Sequence, residues 1–219
     1  MKAFVAGATG ATGRHIVRKL VERGVPVRAL ARDREAARSI LPPEAEIVVG
    51  DVLNSESLRA ALADSTVLFC ATGARPSFDF TGPYQVDYQG TCNLVALAKE
   101  KQIEHFVLVS SLCVSRFLHP LNLFWLVLWW KKQAETDLQQ SGIPFTIVRP
   151  GGLRNDESTD PIVMGKADSL FEGSIPRSRV AQICVEALFQ PKARNKIVEV
   201  VSRPDAREQS FAELFAGVA

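Results

Sequence analysis

Gly7, Gly10 and Gly13 stand in a G-x-x-G-x-x-G spacing directly behind the short apolar run Phe4-Val5-Ala6. Glycines at such a turn let backbone N–H groups approach a pyrophosphate with no Cβ in the way. A helix starting there adds partial positive charge at the same spot. Arg32 closes the next apolar run. Many NAD-binding chains carry Asp or Glu there for the ribose 2′-hydroxyl, whereas a guanidinium suits a 2′-phosphate, so the pattern points to NADP(H) rather than NAD(H). Asp33 lies one residue too far along to be the ribose acid and is expected to point elsewhere. Gly50-Asp51-Val52 closes a third apolar run. Asp51 can accept a hydrogen bond from an adenine amino group with Val52 against the ring. It also reads as a cap for the helix that follows. Thr72-Gly73-Ala74-Arg75 is a small-residue turn expected beside ribose and phosphates, with Arg75 placed for a phosphate or an anionic substrate.

The elements that must position these residues alternate. Ile16, Val17, Leu20 and Val21 recur at helical spacing until Gly24, and Val25, Val27, Ala29 and Leu30 read as a strand. Further strands are predicted over 46–49, 67–71, 105–109, 145–148 and 197–201, with helices over 34–41, 55–63, 84–101, 131–140 and 180–188. Ser178 is the candidate N-cap of the last of these. Residues 205–219 read as a polar helix or a loose tail. Strand–helix alternation of this kind predicts an α/β fold: a Rossmann-type doubly wound parallel sheet, one domain over 1–219. Residues 153–175 lack periodicity, hold several acids and are expected to cover the active site.

The chain has 219 residues, of which 47% are hydrophobic, enough for one α/β core. A net charge of +2 gives no case for nucleic acid. His15, His105 and His119 show no metal-ligand spacing. The four cysteines, Cys70, Cys92, Cys113 and Cys184, form no C-x-x-C pair and read as reduced thiols. Met1 lies almost in the first strand, so no leader is expected, and the compartment reads as cytoplasm, or plastid stroma for a processed chain. The apolar run 117–130 is broken by His119, Pro120 and Asn122 and is too short for a membrane span.

The segments GATGATG at 7–13, LARD at 30–33, VVGDVL at 48–53, ATGAR at 71–75, VDYQGTCNLV at 86–95, VLVSS at 107–111, TIVRPGGL at 146–153 and SRVAQICVEAL at 178–188 together resemble the atypical short-chain dehydrogenase/reductases. Within that family the chain is similar to the biliverdin reductase B (flavin reductase) branch and to cyanobacterial and plastid relatives. The resemblance implies that Gly7, Thr9, Gly10, Ala11, Thr12 and Gly13 hold the pyrophosphate and Arg32 the 2′-phosphate. Asp51 and Val52 would flank adenine, and Ala71, Thr72, Gly73 and Arg75 would line the inner ribose and phosphates. Ser110 and Ser111 would lie by the nicotinamide, with Pro150, Gly151, Gly152 and Leu153 near its carboxamide. Lys131 would take the place of the family's active-site lysine, making Ser111 and Lys131 the catalytic candidates.

One departure stands out. Ordinary members carry Tyr-x-x-x-Lys, whose Tyr protonates a carbonyl; here the residue four before Lys131 is Val127, and no Tyr follows Tyr88. A valine donates no proton. A flavin-type acceptor fits better, because hydride goes to a ring nitrogen and water supplies the proton. The leading expectation is an NADPH-dependent reductase of a planar conjugated acceptor such as flavin, or a bilin. The alternatives are a non-enzymatic NADP(H)-binding module that senses redox state or docks a partner, and a dehydrogenase whose acid is relocated to Ser111 or Lys131. The 117–130 segment reads either as a buried helix or as an aromatic rim. A rim would be open to a flat acceptor, a peripheral membrane surface or a protein partner.

Overall fold

Strand β1 (Ala3–Ala6) is an uninterrupted apolar run because both its faces are covered: Ala3 and Val5 pack into one core, Phe4 and Ala6 into the other. The computed structural model describes residues 1–74, 81–123 and 125–218. The other strands are β2 (Val27–Ala31), β3 (Glu46–Val49), β4 (Val67–Cys70), β5 (His105–Val109), β6 (Phe145–Pro150), β7 (Gly152–Arg154), β8 (Ile162–Lys166), β9 (Ser174–Pro176) and β10 (Lys196–Ser202). They form one sheet in the order β3-β2-β1-β4-β5-β6-β10-β9-β7, with β8 also paired to β10. The pairings from β3 through β6 to β10 are all parallel; β8 and β9 run antiparallel to β10.

The helices are α1 (Gly13–Glu22), α2 (Arg34–Arg38), α3 (Ser55–Leu62), α4 (Gly90–Glu100), α5 (Val127–Gln140), α6 (Arg177–Glu186) and α7 (Phe211–Gly217). One sheet face is covered by α1, α2, α6 and α7 through residues such as Ile16, Ala37, Ile183 and Phe215. The other is covered by α3, α4 and α5 through Leu58, Leu94 and Leu138. This is the doubly wound, single-domain fold predicted from the alternation.

Several local expectations need correcting. The 153–175 segment contains the strands β7, β8 and β9, which follow no periodicity because they are three to five residues long and owe their form to pairing. The N-cap of α6 is Pro176, so Ser178 lies inside the first turn. Asn54, not Asp51, caps α3, its Oδ1 accepting from Ser57 N at 2.9 Å. The 84–101 helix starts as a π-helical stretch, Pro83–Gln89, before α4. The tail forms α7, held by a capping box between Ser210 and Glu213.

The 117–130 segment is not one continuous helix. Among its described residues it holds a 3₁₀ turn, Pro120–Leu123, and α5 begins only at Val127. Trp125 and Leu126 both sit in the left-handed region, at φ 58° and 57°. That costs on the order of 1–2 kcal/mol per non-glycine residue. The buried Asn122 offsets it. Its Oδ1 accepts from Leu128 N at 3.0 Å and Trp129 N at 3.1 Å, satisfying the start of α5, and its Nδ2 donates to Phe117 O at 2.8 Å.

A buried ion cluster joins the neighbouring strands β6 and β10 to α5. Arg149 on β6 is wholly buried. Its Nε and Nη2 donate to the Glu135 carboxylate at 2.9 and 2.7 Å, and its Nη1 to Glu199 on β10 at 3.2 Å and Asp168 at 3.0 Å. Glu199 also accepts from the backbone N–H groups of Asp168, Ser169 and Leu170. Every charge has a partner, as burial demands.

His105 on β5 is buried, and its Nε2 bonds Thr146 Oγ1 at 2.8 Å, which itself donates to Ala193 O. Burial, with help from Arg194, pushes its pKa down to about 4 from an ordinary 6.5. The unfolded chain therefore binds a proton that the folded chain refuses between those values. Stability from this group is present above about pH 6.5 and is lost as pH falls towards 4. Unfolding free energy, measured by urea titration, should drop by up to about 1.4 kcal/mol per pH unit across that window. His105→Gln should flatten the slope there; an unchanged slope would assign the loss to other groups.

Candidate active site

The carboxyl ends of the parallel strands share one edge, and the order β3-β2-β1-β4-β5-β6 changes direction between β1 and β4. A crevice for a ligand forms at such a switch point. The glycine turn and the exit of β4 meet there. Gly7 sits at φ 78°, and a Cβ on it would lie 2.6 Å from the Ala71 carbonyl oxygen. On Gly13, a Cβ would lie 2.0 Å from the Gly7 carbonyl oxygen. Gly10 N donates to that same oxygen at 2.9 Å, which closes the turn.

The amino end of α1 is left open for an anion. Its first turn holds no acid, and the N-cap Thr12 makes no capping bond. Thr12 is buried, and its Oγ1 accepts from Arg177 Nη1 at 3.4 Å, while Arg177 Nε donates to Asn155 Oδ1 at 2.9 Å. Arg177 thus brings a guanidinium to the glycine turn, a contact the sequence did not reveal. Thr9 is half-buried and Ala11 exposed along the turn.

Arg32 is exposed just beyond β2 and pairs with no carboxylate among the described residues. Asp33 points away as expected: its Oδ1 accepts from Glu35 N and Ala36 N, at 2.9 and 3.0 Å, and caps α2. Asp51 accepts from Leu53 N through Oδ1 at 2.9 Å, and Val52 O accepts from Asn93 Nδ2 at 2.9 Å. Ala71 and Thr72 are half-buried beside Gly7, and Gly73 is exposed. Arg75, Phe78, Phe80 and Phe124 lie outside the described residues.

At the other end of the crevice, Thr72, Asp87, Thr91, Ser110, Lys131 and Ala134 surround a recess of about 10 Å³, room for one water. The Ser110 side chain is buried there and its Oγ has no partner among the described residues. Ser111 is half-buried on the next residue and does not line this recess. Lys131 Nζ contacts Asp87 Oδ1 at 2.7 Å, and Asp87 Oδ2 accepts from Ala74 N at 3.2 Å. Burial by itself lowers the Lys131 pKa, but the Asp87 charge and hydrogen bond more than offset it and the net shift is upward. Lys131 therefore remains an ammonium. Val127 opens α5 one turn before it. Asp87 was visible in the VDYQGTCNLV segment but carried no role there; nothing in the sequence paired it with Lys131.

Pro150 is buried at the end of β6, whereas Gly152 and Leu153 are exposed on β7. Gly151 N donates to Val200 O and Gly152 N to Gly173 O, at 3.0 and 2.9 Å, so this stretch is tied into the sheet beside the crevice. Tyr84, Tyr88 and Trp130 form an aromatic group, with Trp130 centred 4.9 Å from Tyr84 and 5.6 Å from Tyr88. Cys92 beside it, then burial and Asp137, push the Tyr88 phenol up to about 12.

A glycine cradle at the switch point, an open helix end and an anchored lysine beside β4 and β5 define a dinucleotide-binding α/β domain. A family model described as NAD(P)H-binding matches residues 7–191, and the chain belongs to that family. It is 46% identical to an uncharacterised chloroplastic protein of Arabidopsis thaliana, over 99% of this chain and 82% of that protein. It is 36% identical to the chloroplastic protein TIC 62 of Pisum sativum, over 93% of this chain but only 43% of that protein's length. A sanguinarine reductase of Eschscholzia californica is 30% identical over 100% of this chain and 96% of its own. The solved structure of a putative NAD-dependent epimerase/dehydratase from Bacillus halodurans superimposes with a TM-score of 0.88, covering 99% of both chains at 26% identity.

The Asp87–Lys131 contact is open to a direct test. Asp87→Ala leaves the ammonium without its counter-charge and should cost about 3–5 kcal/mol of unfolding free energy. Asp87→Leu combined with Lys131→Met should recover most of that loss. A single-substitution cost below about 1 kcal/mol would mean that the pair does not hold the site together.

Proposed function

We propose that this protein is an NADPH-dependent reductase that passes hydride to a planar conjugated acceptor, flavin foremost, with a bilin as a second acceptor of the same kind. The observation that carries the reading is Lys131 locked to Asp87 with Val127 one turn before it. That arrangement offers a fixed positive charge and no tyrosine at the usual proton-donating position. The bound dinucleotide supplies the hydride. The glycine turn and the start of α1 hold its pyrophosphate, with Arg177 close by; Arg32 takes the 2′-phosphate; Asp51 and Val52 take the adenine. Thr72, Gly73 and Ala74, pinned by Asp87, line the inner ribose. Ser110 and Ser111 would lie by the nicotinamide, with Pro150 to Leu153 near its carboxamide.

With no side-chain acid in that place, the acceptor must take its proton from water, which a ring nitrogen does readily and a simple ketone does not. Tyr88 keeps its own proton well above neutral pH, and the Tyr84–Trp130 faces offer a stacking surface instead. The sanguinarine reductase relative supports reduction of a conjugated ring system. The chloroplastic relatives favour a plastid-type stromal setting over the cytoplasm. The second reading is an NADP(H)-binding module without turnover, favoured by the apolar surface at residues 117–129 and by the similarity to TIC 62.

Steady-state NADPH consumption separates the readings. Turnover is expected with free flavin and not with simple ketones or aldehydes. Brisk ketone reduction would overturn the tyrosine-free mechanism, and tight NADPH binding with no turnover on any conjugated acceptor would favour the module. Arg32→Ala should weaken NADPH binding roughly ten- to a hundredfold, about 1.5–3 kcal/mol for one charge-assisted phosphate contact, with little effect on NADH. If the variant keeps the wild-type preference, Arg32 is not the 2′-phosphate ligand.

A further inference from the structure

Arg177 is a half-buried guanidinium without a carboxylate. Its Nε donates to Asn155 Oδ1 at 2.9 Å and its Nη1 to Thr12 Oγ1 at 3.4 Å, and both acceptors are neutral. It makes no ion pair among the described residues, and its Nη2 has no hydrogen bond there. The acids that follow Asn155 are turned to other groups: Asp156 lies 3.4 Å from Arg154, and the Glu157 charge acts on His15. The arginine is well anchored all the same. It opens α6 directly behind the buried Pro176, and Pro176 on β9 stands opposite Arg154 on β7, next to Asn155. Thr12 marks where the guanidinium reaches. It is 8% exposed, its hydroxyl accepts from Arg177 and caps nothing, so the hydroxyl proton is left to donate. The first turns of α1 and α6 both lack an acid, and both helix starts carry partial positive charge. A buried hydroxyl with a proton to give and an unpaired guanidinium, meeting at the glycine turn, call for an anion.

We infer that Arg177 is a ligand of the dinucleotide's pyrophosphate and takes the phosphate on the nicotinamide side. The contact with Thr12 is at the long end of a hydrogen bond, and a neutral hydroxyl is a weak acceptor. A phosphate oxygen gives a guanidinium a shorter and stronger bond, and the free Nη2 allows a forked one. The sheet order sets the side. Arg32 and Asp51 stand beyond β2 and β3, so the adenosine end of the crevice runs from β1 in that direction. Arg177 arrives from the opposite direction, from the end of β9, which lies beyond β6 and β10. It therefore meets the glycine turn from the nicotinamide side. The two arginines divide the work. Arg32 tells NADPH from NADH, whereas Arg177 holds a group that both dinucleotides carry. Asn155 keeps the guanidinium in place, which makes the exit of β7 part of the same clamp. The inference rests on the dinucleotide reading of the crevice and not on the choice of acceptor.

The test is calorimetric titration of the full chain with NADPH, NADH and adenosine 2′,5′-bisphosphate. The last keeps the adenine, the 2′-phosphate and the adenine-side phosphate and lacks the nicotinamide half. Arg177→Ala should weaken NADPH and NADH by the same factor, at least about tenfold, and leave adenosine 2′,5′-bisphosphate within about threefold of wild type. Arg177→Lys keeps the charge without the fork and should recover part of the loss. Arg32→Ala should give the opposite pattern, weakening NADPH and adenosine 2′,5′-bisphosphate and sparing NADH. Should the alanine variant lose its melting transition, Arg177→Met keeps the apolar stem without the charge and gives the same comparison. An Arg177→Ala protein that binds both dinucleotides like wild type would overturn the inference alone. So would an equal loss for all three ligands, which would make Arg177 a brace of the turn and not a phosphate ligand. Wild type that binds neither dinucleotide would overturn the dinucleotide reading and the inference with it.

Discussion

The Arg149 guanidinium is the constraint on which the crevice depends. It is wholly buried on β6, and its forked contact with Glu135 fixes both the height and the rotation of α5 against the sheet. One turn earlier on the same helix stands Lys131. Its ammonium meets Asp87, and the other oxygen of Asp87 holds the backbone of Ala74. A run of opposite charges therefore passes from Glu199 on β10 through Arg149 and Glu135 to the helix. From Lys131 it continues through Asp87 to the turn after β4. Each member is buried or nearly so, where a lone charge would cost several kcal/mol, so the geometry of each is dictated by its neighbours. A crevice built this way needs little help from loops to keep its shape.

That network also shows why the sequence was legible in one half and opaque in the other. The glycine turn could be read because its chemistry is local: strand, turn and helix lie next to one another in the chain, and the clash that forbids a side chain on Gly13 is with Gly7. Asp33 could be read as turned away from the ribose because its cap closes within three residues. The strand and helix order followed from periodicity, and the parallel sheet from their alternation. Arg149, by contrast, stood just past the strand read over 145–148, and its partners lie 14, 19 and 50 residues away. No window of sequence contains that cluster. Asp87 and Lys131 were both visible, one in a quoted segment and one as a family position, but nothing short of the fold brings them to 2.7 Å.

The 117–130 region failed for a different reason. Its composition suits a helix, and helical spacing of Trp125, Trp129 and Trp130 was the natural reading. The outcome turned on Asn122, a polar residue in an apolar run. Such a residue reads as an interruption, yet here it organises the loop by capping α5 from a distance. With α5 starting at Val127, Trp125 falls outside the helix, Trp129 turns towards Phe117 and Trp130 towards the tyrosines of the π-helical stretch. The exposed aromatic surface is shared between the loop, through Phe117, and the first turn of α5, through Trp129.

The ion network bears on the chemistry in one more way. Where a lysine assists a tyrosine acid, losing the tyrosine removes the lysine's purpose, and a buried ammonium without purpose is only a cost. Here Lys131 has a second task that needs no tyrosine: it neutralises Asp87, which positions the Thr72–Gly73–Ala74 turn against the glycine cradle. The pair can therefore persist beside Val127 as the part that shapes the turn after β4. Under the proposed reductase reading, a site so arranged would favour acceptors whose reduction is limited by where they stack and not by who protonates them. In that same reading, the group of Tyr84, Tyr88 and Trp130, at the first turn of the helix that Arg149 grips through Glu135, would give such an acceptor a face to stack on.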